Sequence, residues 1–369
     1  MSSLPARVPR EEMGAFLGRA AAKRVPLSGS IAMTHRCNLR CVHCYLGDDR
    51  SPSSAVRELD TAFWLSVVDQ IAEAGCLNLL ITGGEPFLRP DFAEVYTRAK
   101  KRGMLVSVFT NGTRLDEALV RLFTDLPPWL VEVSLYGASK ETYDRVTTVS
   151  GAWEKCLAGV DALCAAGVRV GLKTVVLQGN RHEVAAMREL AASRGASFRV
   201  DPAIFPCFDG DPAPMEQRIP AAEAVAIEME DPRRLASAVA YFGKVRELPS
   251  YDKLYSCMAG QTAFHVVPEG RLQPCLMVNG HGYDLRKGSF REGWEGELFR
   301  FREIEAPPGY ECNSCERRFL CGLCPAQASL ETGSPHAKSE FYCSLGRERE
   351  QAIVREAGRL LPGKETVEP

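Results

Sequence analysis

Three cysteines lie close together near the N-terminus: Cys37, Cys41 and Cys44, in the run CNLRCVHC. A [4Fe-4S] cluster has four iron corners, and each corner takes one thiolate. A loop with three thiols would therefore leave one iron free to bind a group that is not protein. The same thiols could instead hold zinc, which soft thiolates also select. The spacing predicts a metal-binding loop and leaves the metal open.

A second set of thiols lies in the last third of the chain. Its members are Cys257, Cys275, Cys312, Cys315, Cys321, Cys324 and Cys343. Two pairs have the Cys-x2-Cys spacing that also occurs in zinc ribbons. The N-terminus lacks the apolar core of an export signal, so we expect a cytoplasmic protein. Under reducing conditions, metal ligation explains fourteen cysteines better than disulfides do.

Short polar motifs follow three apolar runs. The segment TGGEP contains Gly83, Gly84 and Glu85 and follows the run 77–82, while Asn111 and Ser134 end the next two runs. Two glycines allow the backbone to approach a ligand closely. The segment could equally be a strand-to-helix turn in which proline begins the helix, and the Asn-Gly pair at 111–112 is also a common turn.

The elements that would position these motifs alternate regularly. Apolar runs at 30–34, 77–82, 104–110, 130–136, 168–177 and 197–200 alternate with helix-like segments at 61–74, 91–102, 115–125, 153–166 and 182–194. Six strands that alternate with helices predict an α/β fold, a partial TIM barrel of the (β/α)6 type. Ligands bind at the C-terminal ends of such strands, and the Cys loop follows the first of them.

We divide the chain into five segments. Residues 1–29 are a helical extension, with Met13, Phe16, Leu17 and Ala20 spaced as one face that packs on the barrel. Residues 30–201 form the barrel, and 202–256 a proline-rich connector with a helix at 221–229. Residues 257–345 form a domain whose core is organised by metal, and 346–369 are a charged helix followed by disorder.

Composition excludes two classes of partner. The chain has 45 basic and 47 acidic residues and a net charge of −2, so it lacks the basic field with which proteins bind nucleic acid. No stretch approaches the roughly 20 apolar residues that a membrane span needs. We therefore expect neither a nucleic-acid partner nor a membrane partner.

The Cys-x3-Cys-x2-Cys loop resembles the signature of the radical S-adenosylmethionine (SAM) enzymes, in which an aromatic or similar ring, here His43, precedes the last cysteine. The resemblance implies a [4Fe-4S] cluster on Cys37, Cys41 and Cys44 whose open iron chelates S-adenosylmethionine. It also implies contacts to this cofactor from His43, Gly83, Gly84, Glu85, Asn111, Ser134 and Arg145. Of these, the Gly-Gly-Glu-Pro segment would bind the amino group, and Arg145 would pair with the carboxylate.

The C-terminal thiols resemble the SPASM domain of peptide-modifying radical SAM enzymes, which holds two auxiliary [4Fe-4S] clusters. The interleaved pattern of that domain implies one cluster on Cys257, Cys275 and Cys324. It implies a second on Cys312, Cys315, Cys321 and Cys343. The first set has three thiols, so its fourth corner is open or is filled by His265, His281 or Cys207. Three clusters would then be present in all.

The resemblance implies a peptide maturase. Such an enzyme removes a hydrogen atom from a ribosomally made precursor peptide and forms a C–S or C–C crosslink. Its further partner would be a flavodoxin-type or ferredoxin-type electron donor. A leader peptide would be bound by the barrel, by the SPASM region or by a separate leader-peptide-binding protein. Alternatives are a maturase that makes formylglycine in sulfatases, an oxidoreductase of a small molecule and a zinc-stabilised binding protein. In sulfatase maturases an Asp follows the Gly-x4-Cys cysteine, whereas this chain has Leu276.

Overall fold

The computed structural model describes residues 10–245 and 252–360, and its centre is a nine-stranded sheet in the order β6-β5-β4-β3-β2-β1-β7-β8-β9. Strands β1 to β7 pair in parallel, and β8 and β9 are antiparallel additions. The strands are β1 Ser28–Ala32, β2 Asn78–Thr82, β3 Leu105–Thr110, β4 Leu130–Ser134, β5 Val170–Val175, β6 Ser197–Asp201, β7 Ala263–Val266, β8 Arg271–Gln273 and β9 Tyr283–Asp284.

Helices follow the strands, as the alternating pattern predicts. The barrel region contains α1 Arg10–Ala22, α2 Thr61–Glu73, α3 Phe92–Lys101, α4 Glu117–Asp125, α5 Lys140–Thr147, α6 Ala152–Ala165 and α7 Val184–Ala192. The remainder contains α8 Ala221–Met229, α9 Pro232–Val245, α10 Phe290–Glu295, α11 Glu297–Arg302, α12 Glu311–Ser314, α13 Arg318–Cys321, α14 Pro325–Thr332 and α15 Glu340–Leu360. The partial-barrel prediction is confirmed, with each expected strand displaced by at most two residues at either end.

Before the C-terminal domain, two of the helices, α5 and α9, are not predicted from the sequence. Helix α5 has the sequence KETYDRVT, which is too polar and too short for a helical stripe to stand out. The sequence signal for this helix is at its N-terminus, where the Ser139 side chain is the N-cap and accepts a hydrogen bond from the backbone N–H of Thr142. Helix α9 lies in the segment that we had interpreted as a connector.

The C-terminal region shares the barrel's sheet. Strand β7 pairs in parallel with β1, so that Ser30 lies opposite His265 and Gly29 opposite Phe264. A Cβ atom at Gly29 would lie 2.0 Å from the Phe264 ring, so only glycine leaves room for this pairing. Residues 257–345 are therefore joined to the barrel through backbone hydrogen bonds as well as side-chain packing.

Among the described residues, the core consists of one large apolar cluster and three smaller ones. Buried side chains on the barrel strands pack against those of the helices, with Trp64, Tyr96 and Phe123 fully enclosed. A separate apolar cluster, which includes Tyr255 and Phe301, packs around two of the C-terminal thiols. The C-terminal region thus has an apolar core of its own, in addition to whatever its thiols bind.

The N-terminal helix does not pack as expected. Of the four residues assigned to its barrel-facing side, only Ala20 is buried, while Met13, Phe16 and Leu17 are 44, 40 and 48% exposed. Spacing along one helix defines a face but cannot say whether a neighbour covers it, and the expectation was wrong for this reason. At the other end, residues 346–360 belong to α15, and the expected disorder at 361–369 lies outside the described residues. Within 10–245 and 252–360, no helix has the length and apolar character needed to span a membrane.

Candidate active site and metal centres

A cavity of about 300 Å³ lies at the C-terminal ends of the barrel strands. The residues that line it come from the Cys loop, from the ends of β2 to β6 and from β1 and β7. Eight of the residues expected at the site line this cavity: Cys37, Cys41, His43, Cys44, Gly83, Gly84, Asn111 and Ser134. Glu85 and Arg145 do not line it.

The three thiols of the Cys loop are close enough to affect one another. Burial raises the pKa of Cys37 to about 11 and that of Cys41 well above its usual value, and the neighbouring thiols raise both further. Three thiolates crowded in a buried loop need a strongly cationic partner. An iron–sulfur group on Cys37, Cys41 and Cys44 fits this donor set, because its iron supplies that charge and takes thiolate ligands.

The Cys loop is held by the helix that the sequence analysis missed. The backbone N–H of Arg40 donates to the Thr147 carbonyl, and that of Val42 donates to the Val146 carbonyl, both at 3.0 Å. Both carbonyls belong to the last turn of α5, where carbonyl groups have no partner within the helix. Helix α5 therefore positions the thiols.

The two glycines after β2 are required by the Cys loop itself. The N–H of Gly84 donates to the Thr34 carbonyl at 2.8 Å. A Cβ at Gly84 would lie 2.3 Å from the carbonyl oxygens of His35 and Arg36, and one at Gly83 would lie 2.1 Å from that of Thr34. The close approach that the glycines permit is thus to the backbone leading into Cys37, while both residues also face the cavity.

The buried carboxylate of Glu85 links the ends of two neighbouring strands. Its carboxylate accepts hydrogen bonds from the Thr110 hydroxyl at 2.9 Å and from the backbone N–H groups of Asn111 and Phe87 at 2.8 and 3.2 Å. Burial nevertheless raises the pKa of Glu85 to about 7. The carboxylate fixes the end of β2 against the end of β3.

Asn111 lines the cavity, but its side chain is engaged with the Cys loop. The Asn111 amide donates to the Asn38 side chain at 3.0 Å and to the Cys37 sulfur at 3.7 Å. The amide oxygen accepts from the backbone and hydroxyl of Thr113. Asn111 therefore orients Cys37, which is a role the sequence motif did not indicate.

His43, Tyr136 and Ser134 form a connected part of the cavity wall. The rings of His43 and Tyr136 meet edge to face at a centroid distance of 4.6 Å, and the Ser134 side chain is near the Tyr136 hydroxyl. Burial lowers the pKa of His43 to about 4, helped by the charges of Arg50 and Lys173. A neutral ring at position 43 can pack against an apolar or aromatic ligand face without a desolvated charge.

The cation of the cavity wall is Lys173. Arg145, which was expected to pair with a cofactor carboxylate, instead donates to the Gly179 carbonyl at 2.9 Å and to Thr142 at 3.2 Å. The Lys173 ammonium lies 3.5 Å from the Glu132 carboxylate and 4.1 Å from the centre of the Phe109 ring. Lys173 faces the cavity because it lies opposite Ser134 in the register of β4 and β5.

A buried ion network beneath the Cys loop escaped the sequence analysis. Glu58 accepts two hydrogen bonds from Arg36 at 2.8 and 2.9 Å, one from Arg89 at 3.3 Å and a short one from Thr34. Arg89 also pairs with Asp91. Arg36 is the residue before Cys37, so this network anchors the start of the loop. Nothing in the local sequence pairs residues so far apart.

The thiols of the second expected auxiliary set lie together. They line a cavity of about 580 Å³, and they are Cys312, Cys315, Cys321 and Cys343. Within the described ranges, no three His, Cys, Asp or Glu side chains converge as the ligands of a single metal ion do. Four thiols spread around a space of this size suit a polynuclear group, since a [4Fe-4S] cluster takes one thiolate at each iron.

The thiols of the first expected auxiliary set also lie together. Burial raises the pKa of Tyr255 to about 12, and the next contributions come from Cys324, Cys257 and Cys275, which all lie near its hydroxyl. Burial likewise raises the pKa of Cys324 to about 11, and the nearby thiols of Cys275 and Cys257 also raise it. Leu276, the residue after Cys275, lines the barrel cavity. This thiol group therefore lies next to the candidate active site.

The three side chains considered for the fourth corner make other contacts. His265 is in the barrel cavity, and the Cys207 thiol donates to the Cys44 carbonyl at 3.4 Å. His281 packs its ring against Phe301 at 5.4 Å and lies 3.9 Å from Glu297. None of these contacts involves the three thiols.

Comparison with known proteins identifies the family of this chain. Residues 31–191 match the model of the radical SAM superfamily. The chain is 30% identical over 332 residues to an AdoMet-dependent heme synthase of Methanosarcina barkeri, covering 84% of this chain and 94% of that protein. It is 28% identical over 323 residues to a PqqA peptide cyclase of Granulibacter bethesdensis, covering 84% and 85%.

Solved structures show the same fold at lower identity. Streptococcus suis SuiB bound to S-adenosylmethionine superposes with a TM-score of 0.67 and 14% identity, over 93% of this chain and 83% of that one. The structure of anSMEcpe with bound AdoMet superposes with a TM-score of 0.65 and 18% identity, over 91% of this chain and all of the other. At these identities the likeness extends to the architecture alone.

Proposed function

Because this chain belongs to the radical SAM superfamily, we propose that it is a peptide maturase of the SPASM type. It would remove a hydrogen atom from a residue of a ribosomal precursor peptide and form a C–S or C–C crosslink. The observation that carries this proposal is a single cavity that reaches from the Cys loop to Leu276, beside Cys275. A substrate in this cavity lies between two thiol groups, each suited to a [4Fe-4S] cluster.

The residues that would hold the cofactors follow from the geometry. Bound to Cys37, Cys41 and Cys44, a [4Fe-4S] cluster would supply the electron for reductive cleavage of S-adenosylmethionine. Gly83, Gly84 and Ser134 would contact this cofactor, and Lys173 replaces Arg145 as our candidate partner for its carboxylate. The chain itself would orient the cofactor and the substrate and keep water away from them.

Two auxiliary [4Fe-4S] clusters complete the proposal. One would bind Cys257, Cys275 and Cys324, and the other would bind the thiols around the larger cavity. Three thiolates leave one iron corner of the first cluster for another ligand, and this cluster is next to the substrate cavity. A cysteine thiolate of the peptide is our candidate for that corner. A flavodoxin-type or ferredoxin-type donor, a separate leader-binding protein and a cytoplasmic location belong to the same proposal.

Peptide chemistry is supported by the similarity to PqqA peptide cyclases. A sulfatase maturase fits less well, because the expected acidic side chain after Cys275 is Leu276, which lines the cavity and cannot accept a proton. A second candidate is an enzyme acting on a tetrapyrrole, which the 30% identity to a heme synthase supports. These candidates differ in substrate and share the thiol sites.

The test begins with the short reading frames beside this gene. Each encoded peptide would be synthesised and incubated anaerobically with reconstituted enzyme, S-adenosylmethionine and dithionite. We expect one peptide to lose two hydrogen atoms, by mass spectrometry, with matching formation of 5'-deoxyadenosine. A triple Cys37→Ala, Cys41→Ala, Cys44→Ala variant is the negative control. Conversion of an iron tetrapyrrole and of none of the peptides would show that the peptide assignment is wrong.

A further inference from the structure

The barrel cavity contains a histidine that the proposed chemistry leaves unassigned. His265 lies on β7, is 1% exposed and lines the cavity together with Ser30 of β1. These two residues are direct partners in the parallel register, so their side chains lie on the same face of the sheet. The Ser30 hydroxyl lies 2.7 Å from His265 Nδ1.

The other ring nitrogen of His265 has no partner. Nε2 is fully buried and makes no hydrogen bond with any described residue. The same is true of Oε1 of Gln273, which lies opposite His265 in the register of β7 and β8. Buried polar atoms in proteins are nearly always hydrogen-bonded, and each exception needs an explanation. At the wall of a substrate cavity, a ligand explains this one.

The contacts of Ser30 favour one tautomer of His265. The Ser30 hydroxyl has two possible acceptors: His265 Nδ1 at 2.7 Å and the Phe264 carbonyl at 3.5 Å. The longer distance is outside the usual range of an O–H···O hydrogen bond. A hydroxyl that donates to Nδ1 leaves the hydrogen of the neutral ring on Nε2, and this is the tautomer that the proposal uses. Burial supports this state, because it lowers the pKa of His265 to about 3, with a further contribution from His35.

We propose that His265 is a substrate-binding residue, oriented by Ser30, whose Nε2–H donates a hydrogen bond to a carbonyl oxygen of the substrate. A neutral donor suits a neutral acceptor, and a peptide carbonyl is one. The charged groups of the wall, Lys173 and Asp201, lie on β5 and β6, whereas His265 and Ser30 lie on β7 and β1. This inference rests on the proposed function, since it requires a substrate in this cavity.

The test compares His265→Leu, which removes the donor, with His265→Gln, whose side-chain amide can still donate. With the synthetic peptide converted by wild type, we expect His265→Leu to raise the KM roughly 5- to 20-fold. Iron content and the Kd for S-adenosylmethionine should stay as in wild type. His265→Gln should recover most of the KM, and Ser30→Ala should give an intermediate value because the ring is no longer oriented. His182→Leu, on an exposed histidine outside the cavity, is the matched control.

Three outcomes would overturn the proposal. One is a wild-type KM in His265→Leu. Another is a higher Kd of His265→Leu for S-adenosylmethionine with an unchanged KM for the peptide, which would assign Nε2 to the cofactor. The third is equal damage in the Leu and Gln variants together with loss of iron, which would assign His265 to packing. If wild type converts only an iron tetrapyrrole, the proposed peptide function fails, and the same KM comparison with that compound decides on His265 separately.

Discussion

At the scale of single residues, the site depends on backbone contacts so close that two glycines cannot be replaced by a residue with a Cβ. Gly83 and Gly84 are held against the carbonyl groups of residues 34–36, and each would overlap them if it carried a Cβ. The segment thus connects two neighbouring strand ends through backbone atoms. It follows that a side chain here should disturb the Cys loop as well as any bound cofactor.

We therefore predict that Gly84→Ala lowers iron content and S-adenosylmethionine cleavage together. Its Cβ would lie 2.3 Å from two backbone oxygens, and such overpacking typically costs about 1–3 kcal/mol. The control is Gly280→Ala, where no atom lies within 4 Å of the added Cβ. Iron analysis and 5'-deoxyadenosine assays on both variants check this. Normal iron in Gly84→Ala with weaker cofactor binding would instead mean that the loop tolerates the overlap.

Glu58 is a second residue with a large expected effect. Its buried carboxylate pairs with Arg36, which is 23% exposed, and with Arg89, which keeps Asp91 as a second partner. Glu58→Gln should therefore cost about 1.5–3 kcal/mol, the range for hydrogen bonds to charged groups. The control is Asp69→Asn, whose partner Arg98 is 47% exposed and whose loss should cost at most about 1 kcal/mol. Anaerobic urea denaturation measures both. Equal, small losses would show that the network carries little energy.

The contribution of Glu58 to the free energy of unfolding should depend on pH. Burial raises the pKa of Glu58. Hydrogen bonds from Arg36 and Thr34 and the charges of the two guanidinium groups lower it by more, so the net shift of the pKa is downward. A carboxylate with a depressed folded pKa stabilises the fold above its unfolded pKa, and this contribution is lost as pH falls through the folded value. The stability difference between wild type and Glu58→Gln should shrink below about pH 4.5. A difference that grows with acid would contradict the assigned sign.

At the scale of elements, helix α5 is the support of the Cys loop. The Glu183 carboxylate accepts from the backbone N–H groups of Ala138 and Ser139 and from the hydroxyls of Ser139 and Thr142, which fixes the helix N-terminus. The C-terminus of α5 then binds the loop through backbone carbonyl groups. Stability at one end of this helix is thereby coupled to the thiols at the other.

Removal of the carboxylate tests that coupling. Glu183→Ala should cost about 1–2 kcal/mol, as lost caps do, and should speed hydrogen exchange in residues 36–46 as well as in α5. Asp116→Ala removes the N-cap of α4 and is the matched control, with a similar cost and unchanged exchange in the Cys loop. Exchange that rises only within α5 would separate the helix from the loop.

At the scale of the whole molecule, the C-terminal thiols interleave along the chain. Cys321 lies with the thiols around the larger cavity, whereas Cys324, three residues later, lies with Cys257 and Cys275 beside the barrel cavity. Between these two cysteines the chain turns at Gly322, which has the left-handed conformation with φ of 80°. One short turn therefore serves two thiol groups.

Single substitutions should separate these groups. Wild type should carry about twelve iron atoms, and Cys321→Ala and Cys324→Ala should each lose up to about four. The two losses should add in the double variant, because the clusters are distinct. Substitution of Cys164, which lies outside both groups, is the control. Non-additive losses would point to a single shared site, and bound zinc without iron would favour a zinc-stabilised protein.

The sequence by itself determined the order of the six barrel strands and of the five helices predicted between them, and it set the thiols of the Cys loop apart from the seven thiols in the last third of the chain. Both depend on local information: hydrophobic spacing decides whether a segment is strand or helix, and thiols at short spacings indicate metal ligands. Only the tertiary structure decided which side chains share the cavity. It replaced Arg145 with Lys173, exposed one face of α1, and placed His265 beside Ser30. These outcomes depend on contacts between residues far apart in the chain, such as the pairing of β7 with β1, and no local spacing records which distant strand a segment will join.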